Sequence, residues 1–139
     1  MRQASGEIEI GTEGQGLVEI TRSILGWIGR QGMEEGLLTL FCRHTSASLL
    51  IQENAARAVR TDLEDYFARI APEAPGLYAH DDEGPDDMPA HLRTALTNVQ
   101  LSIPLAHGQL MLGTWQGIYL FEHRRRPQRR TIALHLIGA

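Results

Sequence analysis

The sequence predicts an α+β fold, a β-sandwich of mostly antiparallel strands with two or three helices on one side. Short apolar segments, separated by turns rich in glycine and proline, fill most of the chain and are typical of strands. Apolar residues recur at helical spacing in only three segments. A length of 139 residues suits a single domain with one hydrophobic core, residues 1–139.

Composition and charge exclude several classes of protein. No apolar run approaches the roughly 20 residues that cross a bilayer, so we expect no membrane partner. The N-terminal segment lacks the apolar stretch of a secretory signal and Cys42 is the only cysteine, so we expect a cytoplasmic protein. The net charge of −4 argues against a nucleic-acid partner.

All 13 basic residues are arginine, and the chain contains no lysine. This excludes a Schiff base and a P-loop lysine. An anionic small-molecule substrate would therefore be held by arginine, histidine, backbone N–H groups or a metal ion.

The first half of the chain alternates strands and helices. Strands are predicted over residues 2–10, 17–20 and 36–43 and on through Gln52, and helices over 21–31 and 55–70. The nearly continuous apolar run at 36–43 is typical of a strand that is buried on both faces. Asn54 has the side chain of an N-cap and would begin the second helix.

The second half begins with a long acidic loop and is mostly β. A helix is predicted from residues 86–89 to Asn98, and strands over 99–105, 110–112, 118–123 and 131–137. Met88, Leu92, Ala95 and Leu96 would form the apolar face of this helix. The basic segment 124–130 is expected to be a solvated turn, or alternatively a site for phosphate or an acidic partner.

The segment 80–93 concentrates groups that bind metals or transfer protons. It holds His80, His91 and five carboxylates in fourteen residues. His91 falls in the first turn of the predicted helix, where the helix dipole disfavours a protonated ring and leaves it free to bind a metal or act as a base. The spacing matches no local ligand pattern. The segment is therefore either a metal or proton-transfer site or a solvated acidic connector.

A second polar cluster, HTSAS, directly follows the most apolar strand. His44 could be a third metal ligand, and three histidines with an open coordination position are typical of catalytic zinc. Alternatively, His44 could activate Ser46 for acyl transfer, although the chain has no G-x-S-x-G motif. Cys42 is interpreted as a core residue rather than a nucleophile.

The segment GTWQG, residues 113–117, places two glycines around Trp115 and Gln116. Paired glycines suggest backbone that another chain or a ligand approaches closely. Trp115 would then offer a stacking surface and Gln116 would orient the substrate. The alternative is a β-bulge with a buried tryptophan.

Glu122 lies inside an apolar strand, on the same face as Ile118 and Leu120. A buried carboxylate needs a partner. Glu122 is therefore either a general base with a raised pKa or the ion-pair partner of an arginine such as Arg93 or Arg43.

Four segments in series resemble the YjbQ family of small proteins, also described as secondary thiamine-phosphate synthases. They are HTSASLLIQENA at 44–55, HDDEGPDDMPAHL at 80–92, LSIP at 101–104 and GTWQGIYLFEHR at 113–124. The segments have the expected order and separation and cover the chain from about residue 36 to its end.

The resemblance implies an α+β fold with a β-sandwich core and a homotrimer with sites near the subunit interfaces. It also implies a divalent metal, with zinc expected and magnesium as the alternative. The expected metal ligands are His44, His80 and His91, the expected catalytic residues are Glu122, Ser46 and Gln116, and the expected cofactor-binding residues are Trp115, Arg93 and Asn54. Asp87 is expected to lie beside the metal ligands rather than among them.

The family's description implies the coupling of a hydroxymethylpyrimidine diphosphate to a thiazole phosphate, which gives thiamine phosphate and diphosphate. One alternative is metal-dependent hydrolysis of a small phosphorylated or acyl substrate. The other is a non-catalytic trimer that binds a small anion or a protein partner.

Overall fold

The computed structural model describes all 139 residues, and the predicted α+β fold is confirmed. The strands are β1 (Arg2–Gly11), β2 (Gly16–Glu19), β3 (Gly36–Cys42), β4 (Ala47–Glu53), β5 (Gln100–Ala106), β6 (Gln109–Leu110), β7 (Gln116–Glu122) and β8 (Arg129–Gly138). The helices are α1 (Thr21–Gly29), α2 (Arg57–Ile70) and α3 (Asp87–Leu96). Each of the three helices is too short or too polar to cross a membrane.

Two antiparallel sheets enclose the hydrophobic core. One sheet has five strands in the order β1-β8-β3-β5-β6, and the other has three in the order β2-β7-β4. Alternate residues of β8, namely Ile132, Leu134 and Leu136, point into the core because side chains in a strand alternate between faces. Helix α1 adds Ile24 and Trp27 to the same core.

Strand β7 is covered on both of its faces. Its inner face presents Ile118, Leu120 and Glu122, and the opposite face, with the residue after the strand, presents Tyr119, Phe121 and His123, all of them buried. The opposite face is covered by helix α2, whose Phe67 packs edge-on against Phe121 with ring centroids 5.4 Å apart. The end of β7 therefore lies between two layers, where it positions the polar groups described below.

Strand β3 is covered on one face only, contrary to the prediction from its apolar run. Leu38 and Leu40 are fully buried, whereas Leu37 and Phe41 are 41% and 47% exposed. The reason is that no helix covers the outer face of the five-stranded sheet. The apolar run therefore leaves large side chains on an open sheet surface.

Helix α2 begins three residues after Asn54, and Asn54 is not its cap. The Glu53 carboxylate accepts hydrogen bonds from the backbone N–H groups of Ala55 and Ala56, at 2.9 and 2.7 Å. The Asn54 side chain instead donates to the carbonyl oxygen of Gln116, at 3.4 Å.

Helix α3 buries a partly charged face, and the predicted apolar face was wrong. Its buried residues include Asp87, Ala90 and Arg93, whereas Leu96 is 61% exposed. The helix contacts strand β4 and, through Asp87, the Arg124 side chain that follows β7, and none of its residues belongs to the main hydrophobic core. Apolar spacing alone could not reveal that preference.

Candidate functional site

The N-terminus of α3 brings two histidines to one carboxylate. Asp87 and His91 are one helical turn apart and therefore share a face of the helix. His80 approaches from the preceding loop. The Nε2 atoms of His80 and His91 lie 2.8 and 3.1 Å from the same oxygen of Asp87, Oδ2. One ligand atom from each of the three residues falls within 4.8 Å of the others.

The Arg124 side chain fixes the orientation of the Asp87 carboxylate. Arg124 donates from Nη1 to Oδ1 of Asp87 at 2.7 Å and from Nε to Asp86 at 3.0 Å. The backbone N–H of Arg125 also donates to Asp86, at 2.9 Å. Asp87 thus gives one oxygen to a guanidinium and keeps the other between the two imidazoles.

The site holds its carboxylates charged and favours a proton on His80. The hydrogen bond to Asp87 raises the pKa of His80, and the nearby charges of Asp82 and Glu83 act in the same direction. Burial by itself raises the pKa of Asp87, but the hydrogen bond from His80 and the charges of His91 and Arg124 together hold that pKa below its usual value. A cation could bind to an anionic Asp87 that lies between two imidazole rings.

The donor set of His80, Asp87 and His91 fits a divalent transition metal. Two imidazole nitrogens and one carboxylate oxygen are the ligands of several catalytic zinc and iron centres. Sequence reasoning placed Asp87 beside the ligands, but the structure places it between the two histidines. A more exposed group formed by His80, Asp82 and Glu83 has atoms at similar separations.

Within one chain, His44 does not join His80 and His91. Its Nε2 accepts a hydrogen bond from the backbone N–H of Thr131 at 2.7 Å, so the proton of the neutral ring is on Nδ1. Burial and the charge of Arg130 lower the pKa of His44, which favours that neutral form. The ring lines a separate open cavity of about 770 Å³ that also contains Ser46. The Ser46 hydroxyl accepts from Arg130 at 3.0 Å and has no hydrogen bond to His44.

Glu122 is fully buried and its partner is Arg130, so the predicted pairing with Arg93 or Arg43 was wrong. Arg130 donates to both carboxylate oxygens, at 2.8 and 2.5 Å. Thr12 adds a hydroxyl donor at 2.8 Å. These donors neutralise and satisfy the carboxylate, an arrangement typical of a structural group.

A continuous polar network joins the HTSAS loop to the histidine pair. Arg130 bonds both Ser46 and Glu122, and the backbone N–H of Arg124 donates to Glu122 at 3.0 Å. The side chain of Arg124 then reaches Asp87. The basic segment is therefore not simply a solvated turn, because Arg130 is buried and Arg124 is half-buried in ion pairs.

The GTWQG residues lie at the opposite end of β7 from these groups. Gln116 begins the strand and Glu122 ends it, which separates them by roughly 20 Å at about 3.3 Å per residue. Trp115 is 63% exposed, so it is not the buried tryptophan of a bulge. The Gln116 side chain accepts from the backbone N–H of Gly113 at 2.7 Å and closes its own turn. Within one chain, Trp115, Gln116 and Asn54 do not meet the histidine pair.

The glycines of this segment are approached by the chain itself. A Cβ on Gly117 would lie 2.5 Å from a carboxylate oxygen of Glu19. The close approach predicted from the two glycines is thus present, and the group that approaches Gly117 is the side chain of Glu19 at the end of β2.

Sequence reasoning missed a buried hydroxyl–imidazole chain behind β7. Ser48 Oγ and His123 Nε2 are 2.9 Å apart, and Thr97 donates to Ser48 at 2.6 Å. Burial, together with the charges of Arg93 and Arg130, lowers the pKa of His123 to about 3. His123 directly follows Glu122 at the end of β7, so the signal available in the sequence was the alternation of side chains between the two faces of the strand.

This fold and this site define a class of small β-sandwich proteins with a carboxylate and two histidines clustered at one end. The chain belongs to the YjbQ family, because the family model described as UPF0047 protein YjbQ-like matches residues 6–139. The resemblance drawn from its motifs is thereby confirmed.

Relatives and solved structures support the same assignment. The chain is 47% identical over 137 residues to UPF0047 protein sll1880 of Synechocystis sp., covering 99% of this chain and 93% of that protein. It is 46% identical over 110 residues to UPF0047 protein YjbQ of Salmonella typhimurium, covering 79% of each. A conserved protein of Thermus thermophilus, 33% identical, superposes with a TM-score of 0.84 over 95% of this chain and 99% of that one. A yjbq/upf0047 family protein of Clostridium acetobutylicum, 30% identical, superposes with a TM-score of 0.86 over 94% and 98%.

Proposed function

We propose that this protein is a metal-dependent enzyme whose centre is formed by His80, Asp87 and His91. The observation that carries the proposal is the convergence of two imidazole nitrogens on one carboxylate oxygen, at 2.8 and 3.1 Å. Arg124 holds that carboxylate in place through its other oxygen. A divalent cation, zinc in the first place, would supply Lewis-acid chemistry at a phosphate or carbonyl oxygen of the substrate.

The substrate is proposed to be a small phosphorylated molecule that enters beside His80. A cavity of about 260 Å³ adjoins this histidine and is lined in part by Tyr78, Pro85 and Met88. Its mixed aromatic and apolar wall suits the flat face of a heterocycle. The proposed reaction is therefore the coupling of hydroxymethylpyrimidine diphosphate to thiazole phosphate, and hydrolysis of a small phosphate or acyl ester at the same centre is the alternative.

A homotrimer is part of the proposal, and the open face of the five-stranded sheet supports it. Leu37, Phe41 and Ile137 are 41%, 47% and 37% exposed on this face. Register places Leu37 beside Ile137 on neighbouring strands. Large apolar side chains that share an exposed face commonly mark a surface that another chain covers.

Metal content per chain tests the centre. We expect about one zinc per chain in purified wild-type protein and in His107→Ala, whose side chain is 93% exposed. Asp87→Asn and His91→Ala should each lose the metal or bind it at least about tenfold more weakly. Mass determination in solution should show the same assembly for every variant, because these residues are not on the open sheet face. Metal retained at full affinity in both ligand variants would refute the centre.

The same measurement on His44→Ala decides between one chain and two as the source of ligands. Retention of the metal supports a centre complete within one chain, as the positions of His80, Asp87 and His91 indicate. Loss of the metal with the assembly intact would show that His44 contributes from a neighbouring subunit.

An activity assay tests the proposed reaction. Formation of thiamine phosphate by wild type but not by Asp87→Asn would support the proposed coupling, and hydrolysis of phosphate or acyl esters alone would favour the alternative.

A further inference from the structure

Arg93 is a buried cation that forms no ion pair. Its side chain projects from α3, and the residue is 6% exposed. Nη2 donates to the backbone carbonyl of Ala71 at 2.9 Å, whereas Nε has no hydrogen-bond partner. Burial lowers the pKa of Arg93, but a guanidinium stays protonated in proteins. A fixed positive charge with free donors is therefore enclosed in the protein.

The carboxylates around Arg93 are engaged elsewhere. Glu73 forms an ion pair with Arg125, and Asp86 forms one with Arg124. Both act on Arg93 only through space. Buried charges in proteins are ordinarily paired and hydrogen-bonded, so an unpaired guanidinium with a free donor is suited to receive an anion.

Arg93 lines a cavity of about 230 Å³ where α2 faces β7. The cavity is also lined by Glu64, Asp65 and Ala68 of α2 and by Phe121 of β7. Its size admits a molecule no larger than a small amino acid or phosphate ester. His91 is two residues from Arg93 on α3, which places the two side chains on different sides of the helix.

The helix side of the cavity carries the opposite charge. Glu64 is half-buried and Asp65 is exposed, and neither forms an ion pair, although the Glu64 carboxylate accepts a hydrogen bond from the backbone N–H of Leu17 at 2.8 Å. The remaining carboxylate of the lining, Glu122, is neutralised by Arg130. The cavity therefore presents one unpaired cation and two unpaired anions.

We propose that this cavity binds a small zwitterion, whose phosphate or carboxylate group pairs with Arg93 and whose ammonium group pairs with Glu64 or Asp65. A simple anion would meet repulsion from the two carboxylates, and a simple amine would meet repulsion from Arg93. Only a molecule with both charges satisfies both sets of groups. This site is independent of the proposed metal centre.

Calorimetric titration with two small zwitterions tests the proposal. O-phosphoethanolamine carries an ammonium and a phosphate group, and γ-aminobutyrate carries an ammonium and a carboxylate group. We expect one equivalent per chain of at least one of them, bound at least about tenfold more tightly than inorganic phosphate or ethanolamine. The probe that binds identifies the anionic group. Asp87→Asn protein should bind it equally, which separates this site from the metal centre. Absence of binding by both probes, or phosphate binding as tightly as O-phosphoethanolamine, would overturn the proposal.

Variants assign the binding to the cavity. Arg93→Met should weaken binding at least about tenfold, and Arg69→Met, exposed on α2, should not. Ala68→Phe should block the cavity while it keeps every charge, which guards against a folding defect in Arg93→Met. The double variant Glu64→Gln with Asp65→Asn lacks the two carboxylates that repel a simple anion. It should therefore bind inorganic phosphate with an affinity similar to its affinity for the zwitterion. Unchanged binding in either Arg93→Met or Ala68→Phe would place the ligand elsewhere and refute the site.

Discussion

Replacing His123 with glutamine should remove much of the loss of stability that the protein suffers in mild acid. His123 is fully buried, and its pKa in the folded protein is about 3, against 6.5 for an unperturbed histidine. Between these two values the unfolded chain binds a proton at this position and the folded chain does not. Falling pH therefore favours the unfolded state between about 6.5 and 3, and the lost stability is recovered as the pH rises back to about 6.5, above which neither state binds the proton.

The size of the effect follows from the two pKa values. Between pH 7 and pH 5, His123 alone should lower the free energy of unfolding by about 2 kcal/mol. Glutamine can keep a hydrogen bond to Ser48 but does not titrate, so His123→Gln should lose about 2 kcal/mol less than wild type over the same range. Asp86 and Asp87, whose pKa values lie below 3.8, keep their contributions in this window.

Urea unfolding at several pH values and one protein concentration measures this difference. Fluorescence of the buried Trp27 reports the loss of the core. The matched control is His107→Gln, because that side chain is 93% exposed and its removal should leave the pH dependence of wild type unchanged. Parallel loss of stability in wild type and His123→Gln would show that His123 is not buried in its neutral form, and would refute the reasoning.

Two further predictions concern the packing of the sandwich. Arg130→Met leaves the fully buried Glu122 without its cation and should cost about 3–5 kcal/mol in urea unfolding, whereas Arg129→Met removes only an exposed contact with Glu9 and should cost less than about 1 kcal/mol. Equal losses would contradict the buried pairing. Gly138→Ala drives a Cβ into the backbone oxygen of Glu35 and should cost about 1–3 kcal/mol or more, whereas the space around Gly11 is open and Gly11→Ala should change little. A melting temperature for Gly138→Ala equal to that of Gly11→Ala would argue against the close approach of β3 and β8.

The order of the elements could be predicted because it depends on local patterns. Alternation of apolar residues, the turn at residues 107–109 and the spacing of α2 each act over a few residues, and the corresponding strands and helices are present. Burial was less predictable. The most apolar strand, β3, has one open face, whereas β7, which carries Glu122, is covered on both faces.

The sequence by itself determined the fold class, the family and the segment that carries His80 and His91, because these follow from periodicity and from motifs that are contiguous in the chain. Only the tertiary structure decided which charged side chains pair with one another. Asp87 lies between the two histidines, Glu122 pairs with Arg130 and Arg93 is left without a carboxylate. Coulombic and hydrogen-bond partners are chosen by distance in space, and a list of charged residues does not contain those distances.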